Sequence, residues 1–188
     1  MTKFNSTGYF VYKNLKAMQS NMSFDLFDEF LQKEKFDNVI EIGTAFGGLC
    51  LFLYEKSLEY NYNFMSFDIA DRIYDKHLTM GRIVLDIFSE DAINIVKKQL
   101  ENGKCLILCD GGNKIKEFNF FYELLKPNDF IMAHDYAKSV EHFNNNIKDT
   151  YWNWCEIIDS DVAKALENLQ KYKDIDFEKC AWLCCEKQ

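Results

Sequence analysis

The 188-residue chain has little glycine and almost no proline: it has eight glycines and one proline, where average usage predicts roughly 13 and 9. Five of the eight glycines nevertheless fall in two short clusters, three of them within residues 43–48 and the other two at Gly111 and Gly112. Glycine permits tight turns and lets the backbone approach a ligand closely. The two clusters therefore mark candidate ligand sites.

The chain also lacks positive charge, with 22 Lys and Arg against 30 Asp and Glu and a net charge of −8. It has no basic stripe, which argues against duplex nucleic acid or an anionic membrane as the main partner. Neither a long apolar leader nor a run of 18 apolar residues occurs in it. We therefore expect a soluble, cytoplasmic protein whose residues 1–188 form a single domain.

Cysteine pairs of the CxxC type are absent, although the chain has seven cysteines. Most of these lie inside apolar runs, as in residues 105–109, which predicts reduced thiols buried in the core. The spacing of Cys180, Cys184 and Cys185 matches no common zinc pattern, and no histidine cluster accompanies it. We therefore predict no zinc site there.

Short apolar segments alternate with amphipathic ones along the chain. The predicted strands are residues 38–42, 64–68, 83–86, 105–110, 130–135, 154–158 and 179–186. The predicted helices are residues 24–31, residues 49–58, the segment from Ser89 to Gly103, the segment from Ile115 to Pro127, and residues 161–172. Near-continuous apolar strands alternating with helices indicate an α/β fold with a parallel sheet covered on both faces.

The first 35 residues precede this pattern and form an N-terminal arm and helix. Residues 8–13 are rich in aromatic side chains. We expect this arm to serve either as a lid over the site or as a segment packed on the surface.

Five acidic residues fall at the ends of predicted strands; they are Glu41, Asp68, Asp86, Asp110 and Asp135. Open parallel sheets bind ligands beyond the carboxyl ends of their strands, so these acids are expected to share one cleft. Their charges would repel one another unless hydroxyls, amines or a cation lay between them. An acid that only ends a strand and caps the next helix is the alternative at any single position.

The first glycine cluster follows a strand directly, in the segment EIGTAFGG at residues 41–48. Such a turn brings the backbone and a helix N-terminus close to a ligand. The dinucleotide fingerprint GxGxxG is not met, because Ala45 stands at its second glycine. Asp68 also lies 25 residues beyond Gly43 instead of about 20. An NAD-dependent reductase is therefore kept only as an alternative.

The same segment resembles motif I of class I S-adenosylmethionine (SAM)-dependent methyltransferases. Three segments, IEIGTAFGGLCLFL, LILCDGGNK and FIMAHDY, together resemble the cephalosporin hydroxylase and macrocin O-methyltransferase group over about residues 36–136. This resemblance implies a Rossmann-like, doubly wound, mostly parallel seven-stranded sheet whose last strand is antiparallel. It also implies a SAM-dependent O-methyltransferase acting on a hydroxyl of a small molecule, sugar or glycan. A non-catalytic SAM-binding module is a further alternative.

The resemblance also implies site residues. Glu41, Gly43, Ala45 and Gly47 would line the pocket for the methionine and ribose of SAM, and Asp68 would hold the ribose hydroxyls. Asp86, with Ile87 and Phe88, would lie beside the adenine. The cofactor-binding set is thus Glu41, Gly43, Ala45, Gly47, Asp68, Asp86, Ile87 and Phe88.

Asp110 and Asp135 match positions that hold a divalent metal in metal-dependent members of the family, and His134 completes the predicted metal-binding set. His134 stands where a second acid is often found, which disfavours Mg²⁺ and admits the softer Mn²⁺. A hydrogen-bonded packing role is the alternative for His134. The chain itself leaves the homo-oligomeric state open.

A general base would take the proton of the acceptor hydroxyl. Lys114 is a candidate if a cation keeps it neutral, and a solvated surface lysine is the alternative. Without a metal, Asp110 or His134 would be the base. Tyr136, Tyr151 and Trp152 would either stack on a carbohydrate acceptor or fill the core.

Overall fold

The computed structural model describes residues 9–73 and 80–188. Its strands are β1 (Phe10–Tyr12), β2 (Leu15–Ala17), β3 (Asn38–Ile42), β4 (Asn63–Asp68), β5 (Arg82–Val84), β6 (Cys105–Cys109), β7 (Phe130–Ala133), β8 (Tyr136–Ala137), β9 (Ile157–Ile158), β10 (Leu169–Lys171) and β11 (Leu183–Lys187). Its helices are α1 (Met22–Glu34), α2 (Gly48–Tyr60), α3 (Glu90–Leu100), α4 (Lys114–Phe121), α5 (Val140–His142) and α6 (Ala163–Leu166). None of these helices is long and apolar enough to cross a bilayer.

Seven of the strands form one sheet in the order β10-β11-β7-β6-β3-β4-β5. The five strands from β7 to β5 are parallel, whereas β11 runs antiparallel to both of its neighbours. This confirms the predicted Rossmann-like sheet with an antiparallel last strand. The chain moves outward from β3 in one direction and from β6 in the other, so the topological switch point lies between β3 and β6.

Both faces of the sheet are covered because its central strands are apolar on both sides. In β6, Leu106 and Leu108 pack on the side of α1 and α2, and Ile107 packs on the side of α3 and α4. This alternation follows from the two-residue period of a strand. All seven cysteines are unpaired, and six of them are buried in these layers, as the sequence predicted.

The C-terminal third departs from the sequence-based prediction. The predicted helix over residues 161–172 was wrong in its second half, because α6 stops at Leu166 and residues 169–171 form the edge strand β10. Pairing with β11 buries Leu169 and satisfies the backbone of β10. Of the predicted strand over residues 154–158, only β9 forms, and it pairs with β8 outside the main sheet.

The described part of the N-terminal arm is a β1–β2 hairpin that packs against α2. The ring of Tyr12 stacks on Phe24 at 5.3 Å, and its hydroxyl donates to Glu55 Oε2 at 2.6 Å. The backbone of Lys16 and Ala17 lies directly over Gly48. Residues 10–17 are thus seated on the surface, and residues 1–8 of the expected lid lie outside the described residues.

Candidate active site

A cleft of about 440 Å³ lies beyond the carboxyl ends of β3, β4 and β6, at the switch point of the sheet. Of the predicted cofactor-binding residues, its lining includes Gly43, Ala45, Asp68, Asp86, Ile87 and Phe88. Asp110, Gly111 and Gly112 form its wall on the β6 side. The structure therefore brings together residues that are far apart in the sequence, such as Gly43 and Gly112, which are 69 positions apart.

The turn after β3 is shaped by the close approach of β3 to β6. Gly43 has φ +100°, and a Cβ placed on it would lie 2.6 Å from the carbonyl carbon of Asp110. The backbone N–H of Gly43 donates to Phe67 O at 2.8 Å, and that of Asp110 donates to Ile42 O at 2.9 Å. Only glycine fits this position without moving the two strands apart.

Asp68 connects the glycine turn to the loop that follows β4. Its Oδ2 accepts a hydrogen bond from Ala45 N at 2.8 Å, and its Oδ1 accepts one from Ala70 N at 3.0 Å. The carboxylate is half-buried and borders the cleft. Each oxygen retains acceptor capacity for a further donor.

The opposite wall of the cleft is largely apolar. Ile87 is buried, and the ring of Phe88 packs against Phe120 and Phe121 at centroid distances of 5.8 and 6.2 Å. Asp86 is exposed at the rim, where its Oδ1 accepts from Phe88 N at 2.9 Å. Such a wall suits a flat aromatic group with a polar edge.

Glu41 and Gly47 are not part of the cleft lining, in contrast to the sequence-based prediction. Neighbouring strand residues point to opposite faces, so Ile42 borders the cleft and Glu41 points toward α2. There the buried Glu41 carboxyl accepts a hydrogen bond from Ser66 Oγ. Gly47 is the residue before α2, and a Cβ on it would collide with Ile73.

Replacing Glu41 by glutamine tests this buried position. Burial, partly offset by the Ser66 hydrogen bond, raises the pKa of Glu41 from 4.5 to about 8. Between pH 4.5 and about 8, the Glu41 carboxyl is ionised in the unfolded chain but protonated in the folded chain. The free energy of unfolding of wild type therefore falls as the pH rises through this range. We expect Glu41→Gln to exceed wild type in unfolding free energy by about 2 to 4 kcal/mol at pH 8, and to match it near pH 4.5.

Urea unfolding at pH 4.5, 6 and 8 measures this difference. The exposed Glu101→Gln is the matched control and should follow the wild-type pH dependence. Parallel pH curves for Glu41→Gln and wild type would contradict the prediction.

A second group of side chains lies where β6 and β7 end. Asp110, His134 and Asp135 each contribute one potential ligand atom, and these atoms lie within 4.8 Å of one another. Asp135 has φ +57°, and His134 N donates to Cys109 O at 3.1 Å, so the chain turns sharply here. The predicted convergence of these three residues is therefore observed.

His134 is fully enclosed between Trp152 and Trp182, with ring centroids 4.9 and 4.8 Å away. Its Nδ1 lies 3.1 Å from Asp110 Oδ1 and 3.7 Å from Asp135 Oδ1, whereas its Nε2 has no hydrogen-bond partner among the residues that the structure describes. Burial disfavours the charged ring, but the two carboxylates outweigh this effect and raise the pKa of His134. The two acids therefore favour the charged form of the ring.

Lys114, the first residue of α4, points into the same group and is only 7 % exposed. Its Nζ lies 3.0 Å from Asp135 Oδ2, 2.9 Å from Glu156 Oε2 and 3.6 Å from Asp110 Oδ1. Burial opposes its charge, but these acids prevail and raise the pKa of Lys114. This environment argues against the predicted role of Lys114 as a neutral base.

Sequence reasoning missed Gln19, which joins the group from the segment between β2 and α1. Its Nε2 donates to Asp110 Oδ2 at 2.6 Å, and its Oε1 accepts from Trp182 Nε1 at 2.8 Å. Nothing in the local sequence marks Gln19, since its partners are 91 and 163 residues away.

The aromatic residues after Asp135 are core residues in this structure. Trp152 is buried and donates from its indole nitrogen to Asp135 Oδ1 at 2.5 Å. Tyr136 is buried as well, and its hydroxyl donates a hydrogen bond to Asp159 Oδ1 at 2.7 Å. Tyr151 is half-buried and packs beside Trp152. The core-filling alternative therefore describes these residues better than a wall for the acceptor.

No protein-family model and no curated protein matches the sequence of this chain. Solved structures do match its fold. The apo form of CmcI has a TM-score of 0.66 at 9% identity, over 100% of this chain and 80% of its own. CmcI with Mg and SAM gives a TM-score of 0.63 at 11% identity, over 100% and 81%.

An SAH-bound methyltransferase from Podospora anserina gives a TM-score of 0.56 at 16% identity, over 90% of this chain and 79% of its own. Identities this low establish the fold alone. The chain has the Rossmann-like fold of the SAM-dependent methyltransferases, as the resemblance in its motifs implied.

Proposed function

We propose that this chain is a SAM-dependent methyltransferase that methylates a hydroxyl group of a small molecule or a carbohydrate. The observation that carries the proposal is the cleft at the switch point, where the Gly43 turn, Asp68 and the Asp86–Phe88 wall surround one space that ends at Asp110. Its volume lies within the range of small-molecule and cofactor sites. The fold shared with proteins that bind SAM and SAH supports this assignment.

In the proposed complex, each part of SAM meets a matching surface. The Asp68 carboxylate has two oxygens for the two ribose hydroxyls, and Ile87 and Phe88 offer an apolar face to the adenine. The turn from Gly43 to Ala45 approaches the methionine part with its backbone. Glu41 and Gly47 act on this turn from behind, through packing and hydrogen bonds outside the cleft.

Methyl transfer needs an aligned acceptor oxygen and a group that takes its proton. Asp110 borders the cleft, and Gln19 and His134 fix its carboxylate at 2.6 and 3.1 Å. When bound, SAM would supply an electrophilic methyl group, and Asp110 would take the proton of the acceptor hydroxyl as its oxygen gains the methyl and neutral SAH leaves with the carbon–sulfur bonding pair. His134 is a positioning residue in this mechanism, because it lies behind Asp110 and does not border the cleft.

In the proposed mechanism the transfer needs no Mg²⁺ or Mn²⁺. Asp110, His134 and Asp135 have the donor atoms that a divalent ion needs. The Lys114 ammonium, however, lies 3.0 Å from Asp135 and 3.6 Å from Asp110, within the same group of ligands. As arranged, these residues do not fit a divalent ion.

Ligand-induced stabilisation tests the proposed cofactor. We expect SAH at about 100 times its Kd to raise the Tm by about 5 to 10 °C, and NAD to leave it unchanged. Asp68→Ala should lose most of the SAH shift because the ribose partners are gone, while the exposed Asp91→Ala should keep it. Stabilisation by NAD without SAH would overturn the proposal. SAH binding without transfer to any acceptor in a panel of catechols, sugars and polyols would favour the non-catalytic module.

A further inference from the structure

We propose that the ammonium group of Lys114 takes the place of a divalent cation between Asp110 and Asp135, so that this chain works without a metal ion. The catalytic meaning of this inference rests on the proposed function. The occupancy of the site can be tested without any methyl transfer.

The first observation is that the ammonium group is fully coordinated by oxygen. Nζ contacts Asp135 Oδ2 at 3.0 Å, Glu156 Oε2 at 2.9 Å and the backbone oxygen of Gly111 at 3.2 Å. Its three N–H donors are thus matched by three acceptors, and Asp110 Oδ1 adds an ion pair at 3.6 Å. A lysine that is 7 % exposed and held this way has a defined position.

The second observation concerns the carboxylates, whose four oxygens already have nitrogen partners. Asp110 Oδ2 accepts from Gln19 Nε2 at 2.6 Å, and Asp110 Oδ1 lies 3.1 Å from His134 Nδ1. Asp135 Oδ1 accepts from Trp152 Nε1 at 2.5 Å, and Asp135 Oδ2 faces Lys114. A metal ion would have to displace these donors, several of which are themselves buried.

The third observation is the charge that a metal would meet. A divalent cation bound to Asp110 and Asp135 would lie within a few ångströms of the Lys114 ammonium. Repulsion between cations at this distance is strong in a buried, weakly screened site. Lys114 already supplies positive charge beside both acids, at 3.0 Å from Asp135 and 3.6 Å from Asp110.

Binding of Mn²⁺, measured by titration calorimetry and by the electron paramagnetic resonance signal of the free ion, tests this inference on the purified full chain. We expect wild type to show no saturable uptake up to about 1 mM Mn²⁺. Lys114→Met should bind one Mn²⁺ at least about tenfold more tightly, because Asp135 Oδ2 loses its lysine partner and the repulsion between cations is removed. Lys114→Arg keeps the charge and should stay metal-free, as should Lys98→Met, the same change at an exposed lysine on α3.

Wild-type uptake of one Mn²⁺ at micromolar concentration that is lost in Asp135→Ala would overturn the inference. Mn²⁺ binding by Lys114→Met that is no tighter than that of wild type, with circular dichroism and SAH stabilisation intact, would overturn it too. If Lys114→Met does not fold, the Tm of wild type tests the inference instead. Tm values in Mn²⁺ and in chelator that agree within about 1 °C would support the inference. Stabilisation of wild type by Mn²⁺ that Asp135→Asn abolishes would overturn it. If SAH also fails to bind wild type, the proposed function fails and the assignment of Lys114 stands.

Discussion

Replacing Asp110 by asparagine is expected to lower the rate of methyl transfer about 10²- to 10⁴-fold while SAH affinity changes little. Asparagine has almost the same shape, and its amide oxygen can still accept the hydrogen bond from Gln19. It cannot take up the proton of the acceptor hydroxyl. The loss should therefore appear in the transfer step and leave cofactor binding nearly intact.

Single-turnover transfer from labelled SAM to the acceptor that wild type methylates best measures this step. Asp91→Asn, an exposed change of the same chemistry on α3, is the control and should retain the wild-type rate. Asp110→Asn with a rate within about threefold of wild type would show that another group accepts the proton. The stabilisation of Asp110→Asn by SAH, measured in parallel, distinguishes a slower transfer step from a loss of cofactor binding.

The sequence predicted those parts of the site that depend on local chain chemistry. An apolar strand ending in glycine located the turn at Gly43, and β3 has the predicted bounds. Acids that end parallel strands must lie along one edge of the sheet, which located Asp68 beside the same cleft as Asp110, and Asp110 close to Asp135. These inferences needed only the strand period and the topology of a parallel sheet.

Other parts of the site depend on contacts that no local pattern encodes. Gln19 reaches Asp110 and Trp182 only after the N-terminal segment and β11 have packed together. The motif position of Glu41 predicts a place in the cleft, whereas the alternation of side chains along β3 turns its carboxyl away from the cleft and toward Ser66. For Lys114 the sequence offers either a general base or a surface lysine, and only the fold shows the acids around its ammonium group.

The two glycine clusters also differ in a way that composition could not show. Gly111 leaves room for Glu117, whose Cδ would be 3.0 Å from an added Cβ, and no atom of the described part of the chain lies within 4 Å of a Cβ at Gly112. Gly43, in contrast, has both a left-handed φ and the Asp110 backbone against it. In the first cluster, the backbone therefore requires glycine at position 43. In the second cluster, position 112 can accept a larger side chain.

Gly43→Ala is accordingly expected to lower the free energy of unfolding by about 3 to 4 kcal/mol, and Gly112→Ala to change it by less than about 0.5 kcal/mol. An alanine Cβ at position 43 would collide with the carbonyl group of Asp110, and the strained φ of +100° adds to this cost. Relief requires β3 and β6 to separate, which would displace both the cofactor turn and Asp110. SAH affinity should therefore fall together with stability in Gly43→Ala.

Urea unfolding of both variants, with SAH titration of the folded Gly43→Ala fraction, measures the two effects. Equal free energies of unfolding for the two variants would contradict the close approach of β3 and β6 at Gly43. The shape of the cleft could then not depend on the backbone contact between Gly43 and Asp110.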